Sequence, residues 1–196
     1  MSKYPESMRS AIEETIREKI RLAGIELLRE QGQEGFTTEK IAEKIGLSRG
    51  VLYHYFANKE AIASFIIVKA WEEQFRRLEA VADGGGSAAG RLTAVAEQSV
   101  SEVLAQRAVH RVLMAHLPPP GENHAIVLDF HRRREALFRR IVEEGIRAGE
   151  FGQVEPDDAV CAYIGILHEL CLHALFHGVP PRTAETVQIF LRGIRP

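Results

Sequence analysis

The chain has little that would mark it at first sight: two cysteines, one tryptophan and almost no net charge, with 25 Lys+Arg against 27 Asp+Glu over 196 residues. Cys161 and Cys171 fall on one predicted helix, roughly 15 Å apart along its axis, too far for an intrahelical disulfide. Nothing therefore requires an oxidising compartment. Near-neutrality removes the global electrostatic sign of a nucleic-acid partner. Residues 1–60 hold ten basic and ten acidic side chains, so any DNA contact must come from local arrangement. The opening Met1–Glu6 stretch is polar and has no apolar signal core. The most apolar run, Ala159–Phe176, contains His168, Glu169 and His173, whereas a membrane span of that length is nearly free of ionisable groups. It reads as a buried helix of a soluble bundle, with no membrane partner and a cytoplasmic location. No nucleophile elbow, phosphate-binding glycine loop or paired-carboxylate motif is present, so no enzyme activity and no cofactor are expected. No stretch alternates as a strand does, and no internal repeat appears. The 45% hydrophobic and 27% charged content is that of an ordered globular protein.

What is there is helical periodicity. Ile16, Ile20, Ala23 and Leu27 form one face of a first helix ending near Gly32, with Glu13, Glu14 and Glu18 towards its amino end, where the dipole favours negative charge. Phe36-Thr37-Thr38 leads into a second helix with Ile41, Ala42 and Ile45 inward. Gly46 interrupts, and Ser48 opens a short third helix to about Tyr55. Asn58 caps a long fourth from about Lys59 to Ala82. The Gly84–Gly90 stretch reads as a flexible connector. A fifth helix is predicted from about Arg91 to Gln106, and a sixth ends before the Pro118–Gly121 loop. The seventh runs from about Asn123 to Ala148, with Val127, Phe130, Leu137 and Ile141 on one side. Pro156 starts an eighth, which stops at Gly178, and Thr183 caps a ninth striped by Val187, Phe190, Leu191 and Ile194. The fold class is all-α with about nine helices: an amino-terminal three-helix domain, residues 1–58, and a carboxy-terminal bundle, residues 59–196.

The informative stretch is Phe36 to Lys59. Two short helices at a steep angle need a tight turn; Gly46 supplies the positive φ, and Ala42 is small enough for close approach. Leu47, Leu52 and Phe56 bury towards Ile41, Ile45 and the first helix. This leaves Arg49, Gly50, Tyr53 and His54 free to meet a major groove. Thr38 and Ser48 can each cap a helix and leave N–H groups pointing at phosphate. The helix-turn-helix spans about residues 36–55.

From about Glu18 to Ile66 the sequence resembles the amino-terminal domain of the TetR family of bacterial regulators. The resemblance rests on Phe36-Thr37-Thr38, Ile41-Ala42, Gly46-Leu47-Ser48-Arg49-Gly50, Leu52-Tyr53-His54-Tyr55-Phe56 and Asn58-Lys59-Glu60, at fixed mutual offsets. It implies that Thr37 and Thr38 contact the DNA backbone, that Ser48, Arg49, Gly50 and Val51 approach base edges, that Tyr53 bonds a phosphate with His54 and Tyr55 as groove-facing neighbours, and that Lys59 clamps the backbone. Glu39 stands where many relatives carry a positive or polar groove-reading residue; a carboxylate there accepts from cytosine N4 but repels phosphate. The implied function is a sequence-specific transcriptional regulator, a repressor released from a near-palindromic operator by a small organic effector.

Beyond residue 80 the resemblance is general and the physical argument stands by itself. A helix apolar nearly all round must be covered on every side, which points to a homodimer through Ala162, Gly165, Glu169 and His173 of the eighth helix and Val187, Phe190, Leu191 and Ile194 of the ninth. Trp71, Phe75 and Leu78 with Phe130, Leu137 and Phe138 are candidates to line an effector cavity, and His110, Met114, His131 and His168 to add polar or adaptable contacts. Arg134 falls in line with Phe130, Leu137 and Ile141, and so can pair an acidic effector or a partner carboxylate. His173 and His177, four apart with Glu169 a turn back, have chelating spacing. Without a CxxC or HExxH pattern these histidines read as core or interface residues, and no metal is assigned. Metal sensing and an architectural DNA-binding dimer without effector are the alternatives.

Overall fold

A computed structural model describes residues 5–115 and 124–196, with side chains for all of these except Gln33, 112–115 and 124–127. The expected Pro118–Gly121 loop and helix start at Asn123 lie outside the described residues, as do the side chains of Met114 and Val127. Among the described residues the chain is all-α. Its helices are α1 (Glu6–Gly35), α2 (Thr38–Lys44), α3 (Arg49–Tyr55), α4 (Lys59–Ala82), α5 (Ala88–Ala105), α6 (Arg107–Ala115), α7 (His124–Arg147), α8 (Pro156–His177) and α9 (Thr183–Gly193).

Four boundaries depart from the sequence reading. Helix α1 continues past Gly32 to Gly35, with a local break at Gly32 (φ 65°, ψ −157°). The residue capping α2 is Thr37, not Thr38: its side chain accepts from the Lys40 backbone N–H at 3.2 Å. Helix α5 begins at Ala88 rather than Arg91. Ser87 Oγ accepts from the Gly90 N–H at 3.0 Å, and the Glu150 carboxylate, distant in sequence, accepts from the N–H groups of Ala88 and Ala89 at 3.0 and 3.2 Å. With three of its orphan donors satisfied, a helix can start inside a glycine-rich connector. Thr183 likewise does not cap α9; it is the first helical residue, and Arg182 holds the cap position without a side-chain bond.

The chain divides into two compact units. Among the described residues, the first comprises those up to Ala70 together with those from Ala108 of α6. The second comprises Trp71–Arg107 and the described residues from α7 onward. Helix α4 contributes its first half to one unit and its second half to the other.

In the first unit, Ile20, Leu27, Leu28, Phe36, Ile41, Leu52, Ile62 and Ile66 are buried. In the second, Tyr163 is fully buried and its hydroxyl donates to the Leu92 carbonyl at 2.6 Å, while its ring meets Phe138 edge-to-face at 5.0 Å. Burial raises the Tyr163 phenol far above its ordinary range, so it stays neutral and keeps donating. At Gly145 an added Cβ would collide with the Phe151 ring and come within 2.9 Å of Ala88, which explains a glycine within a helix that is otherwise well formed.

Helix α8 is long and apolar enough by length and composition to cross a membrane. Ala159, Val160, Tyr163, Leu167, Leu170, Ala174 and Leu175 nevertheless bury one side of it in the second unit's core. The sequence reading expects cover on every side; within the chain the other side, with Cys161, Ala162, Gly165, His168, Glu169 and Phe176, stays open.

Tyr163→Phe should remove the bond to α5 while preserving shape and cost about 1 kcal/mol of stability. The check is a lowered urea midpoint at unchanged denaturant slope.

Candidate nucleic-acid interface

The site is built from two seven-residue helices, neither stable alone in water; their caps and their buried faces hold them. Gly46 adopts φ 68°, and the Leu47 N–H returns to the Ala42 carbonyl at 2.9 Å, closing the turn. Ser48 caps α3, accepting from the Val51 N–H at 3.3 Å, and Asn58 caps α4 by accepting from the Ala61 N–H at 2.7 Å. Leu52 and Phe56 face inward and are buried, Phe56 lying beneath the Arg17 guanidinium (4.8 Å) and beside Phe65 (5.3 Å). Ile45 and Leu47 are half-buried.

Rotation about α3 then dictates what faces outward. Ser48, Arg49, Gly50, Val51, Tyr53 and His54 are exposed, and Tyr55 is half-buried with its ring edge-to-face against His54 at 5.3 Å. Lys59 is half-buried, its ammonium 5.6 Å from the Phe36 ring centroid. Thr37 is half-buried as the α2 cap. Thr38 is buried, and its hydroxyl lies 3.4 Å from the Tyr53 hydroxyl.

A polar chain links four of these side chains. Thr38 Oγ1 donates to Glu39 Oε2 at 3.1 Å, and Arg49 Nη1 contacts Glu39 Oε1 at 2.8 Å. The Arg49 guanidinium lies over the Tyr53 ring, 5.8 Å from its centroid. The Glu39 carboxyl is held below its ordinary range chiefly by its own backbone N–H, then by the Thr38 hydroxyl, Arg49 and Lys59. Hydrogen bonding with Thr38 and then with Arg49 lowers the Tyr53 phenol, and the bond to Tyr53, with the charge of Glu39, raises Arg49. Sequence reasoning placed Arg49 and Tyr53 on one face but missed that Glu39 pairs with Arg49. Opposite charges ten positions apart become neighbours only because the turn brings two helix starts together.

The other candidate residues scatter. Phe75, Leu78, Leu137 and Phe138 are buried in the second unit's core. Trp71 stacks on Phe130 at 5.2 Å, and Phe75 meets Phe130 edge-on at 6.0 Å. Phe75 and Leu137 also line a cleft of about 300 Å³ with Glu79, Asp83, Arg133, Ala136 and Arg140. His131 is exposed, with Nδ1 3.0 Å from Arg134 Nη2. His168 is exposed on α8, and His110 is half-buried in the first unit. The dimer assignment needs correction on α9. Val187, Leu191 and Ile194 fill the chain's own core and Phe190 packs against it, so they have little surface to offer a partner. On α8, Ala162, Gly165 and Glu169 are exposed and His173 is half-buried. The rings of His173 and His177 lie 4.4 Å apart, but among the described residues no group of three or more His, Cys, Asp or Glu is arranged to hold a metal ion.

Comparison with known proteins follows the same division. The family model for bacterial regulatory proteins of the tetR family matches residues 20–64, and that for the tetracyclin repressor-like C-terminal domain matches residues 85–172. This chain belongs to the TetR family. Among curated relatives, the class D tetracycline repressor protein of Escherichia coli is 40% identical over 53 residues, which is 27% of this chain and 24% of that protein. The HTH-type transcriptional repressor AcnR of Corynebacterium diphtheriae is 38% identical over 56 residues, 29% of this chain and 28% of that protein. The matched region therefore spans about a quarter of these relatives. Whole-chain likeness is one of fold. A TetR/AcrR-family regulator from Thermobifida fusca superimposes with a TM-score of 0.74 at 22% identity, covering 93% of this chain and 100% of the other. FadR of Bacillus subtilis, solved in complex with stearoyl-CoA, gives 0.70 at 20% identity, covering 89% and 95%.

Thr37→Ala should cost about 1 kcal/mol through loss of the α2 cap, read as a lower thermal midpoint. Thr38→Val, which keeps the buried shape but frees Tyr53 and Glu39, should leave the midpoint closer to wild type.

Proposed function

We propose that this TetR-family chain is a cytoplasmic, sequence-specific DNA-binding regulator, a repressor whose grip on its operator is released by a small organic effector. The observation that carries the reading is the outward face of α3. Leu52 and Phe56 anchor the helix, and Arg49, Gly50, Val51, Tyr53 and His54 stand in solvent, the arrangement a reading helix needs to enter a major groove. Arg49 is the residue suited to guanine O6 and N7, Val51 to a thymine methyl, and Tyr53 and Lys59 to phosphate. Thr37, Ser48 and Asn58 orient the helix starts that carry them.

The test is selection of duplexes from a random pool by the purified protein at fixed salt. Recovery of a near-palindromic consensus supports the reading; no preference over random duplex overturns it. On the selected site Arg49→Ala should relax one base position by about 1–3 kcal/mol. Lys59→Ala should weaken all sequences alike and flatten the salt dependence by about one unit of slope.

A two-fold operator requires a two-fold protein, and the open side of α8 is the surface for it. Ala162, Gly165, Glu169, His173 and Phe176 recur at three- and four-residue spacing, which is one helical stripe; Phe176 is 61% exposed, and Ile189 on α9 is 71% exposed. Small residues at 162 and 165 permit close approach of a second copy. Gly165→Glu should yield a folded monomer by sedimentation, with affinity for the palindrome reduced to that for a single half-site. A dimer of wild-type strength would remove α8 from the interface.

Release follows if an effector in the second unit favours dimers whose reading heads no longer match adjacent grooves. Helix α4 is the natural link, since Lys59 opens it in one unit and Trp71 and Phe75 lie on its stretch in the other.

A further inference from the structure

Arg134 is a half-buried cation that forms no ion pair with any of the described residues. It lies on α7 next to the buried stretch Leu137–Phe138. Its Nε is shut off from solvent and makes no hydrogen bond. Among the described residues its Nη2 reaches the Nδ1 of His131, at 3.0 Å, and its guanidinium carbon stands 6.0 Å from the Phe130 ring centroid. Among the described residues no carboxylate lies within ion-pair distance. Glu135, its chain neighbour, is exposed and acts on it through charge alone, and Glu102 on α5 is taken by Arg77 and by Gln98 Nε2.

For Arg134, burial outweighs the compensating charge of Glu135. The His131 Nδ1 accepts from the Arg134 guanidinium, which can only donate, so the imidazole is a neutral acceptor; partial desolvation and then the Arg134 charge hold it below its usual range against a smaller raising by Glu135. Burial pushes the Cys171 thiol, on α8 beside Arg134, up to about 11, so no thiolate balances the cation. Burial is also the main cause that lowers Arg134 itself. A desolvated guanidinium with an unmet N–H is unfavourable unless an anion completes it, and its planar fork matches a carboxylate. Next to it lies an aromatic platform: Phe130 stacked on Trp71 and met edge-on by Phe75.

The structure assigns Arg134 as the anchor for the carboxylate of an organic monoacid whose apolar body rests on Phe130 and Trp71. A single guanidinium beside a neutral imidazole matches one negative charge. The neighbouring Arg133 lies over Phe75, 4.2 Å from its ring centroid, and already has the Asp129 carboxylate 4.0 Å from its Nη1, so the second charge of a dianionic phosphate would have to compete with that acid. This rests on the effector reading above and names the chemical class of that effector.

The experiment uses the full-length dimer and matched probes: decanoic acid and decanamide, 4-phenylbutyric acid and its amide, and decyl phosphate. Binding is read by calorimetry and thermal shift, and release by fluorescence anisotropy of the selected duplex. At least one acid should bind tenfold or more tightly than its amide and than decyl phosphate. Arg134→Gln should abolish that preference while leaving amide binding unchanged. Ligand-free Arg134→Met should melt no lower than wild type, because it removes a half-buried charge that forms no ion pair with the described residues and keeps the apolar stem. Equal binding of acid and amide, tighter binding of the phosphate, no binding by either acid, or a clearly lower melting point of ligand-free Arg134→Met would each overturn the assignment. Acid binding that leaves the duplex bound would sink effector release and spare the site. Release by the amides as readily as by the acids would sink the ligand class and spare release.

Discussion

A seven-residue helix has too few internal hydrogen bonds to persist in water, yet the candidate reading surface is one such helix, α3. Everything that gives it a direction lies outside it: the Gly46 turn, the Ser48 cap, and the burial of Leu52 and Phe56. Of these, burial is decisive. Leu52 is completely enclosed, so α3 cannot rotate about its axis without exposing it, and the same constraint turns Arg49, Tyr53 and His54 to solvent. The exposed face is the remainder after the core has taken its side.

That arrangement has an electrostatic consequence. In a chain of nearly balanced charge, Arg49 is met by Glu39 rather than standing as a free cation. Pairs this exposed contribute little to stability, but they set local potential and geometry. A helix face that pairs its own arginine with a carboxylate presents less net positive charge to a polyanion. The Thr38–Glu39–Arg49–Tyr53 chain ties that arginine to the start of α2.

The second unit combines two kinds of polar burial. The Tyr163 hydroxyl is satisfied by Leu92 and Glu102 by Arg77 and Gln98, so these join helices. Among the described residues Arg134 pairs with no carboxylate, in contrast to those two groups. Buried polar groups generally find partners when the chain folds; the Nε of Arg91 also lacks one, but that guanidinium is paired with Glu144 through Nη2.

Periodicity and punctuation were enough to read the helix order, the Gly46 turn, the Ser48 and Asn58 caps and the inward face of α3, because each depends on residues within a turn or two of one another. The start of α5 was not legible: Glu150, some sixty residues on, supplies the carboxylate that caps Ala88 and Ala89. Nor was the cap of α2, where adjacent threonines offer the same hydroxyl and only backbone direction decides that Thr37 caps while Thr38 is buried. The stripe of α9 was visible, but not whether its own chain or a second copy covers it; packing gives Val187, Leu191 and Ile194 to the chain's own core. Local sequence determined which segments are helices and which of their sides are apolar, because those follow from short-range geometry. Tertiary structure alone decided which distant groups meet, pairing Glu39 with Arg49 and leaving Arg134 without an ion pair among the described residues, because partnership depends on positions in space that no spacing along the chain records.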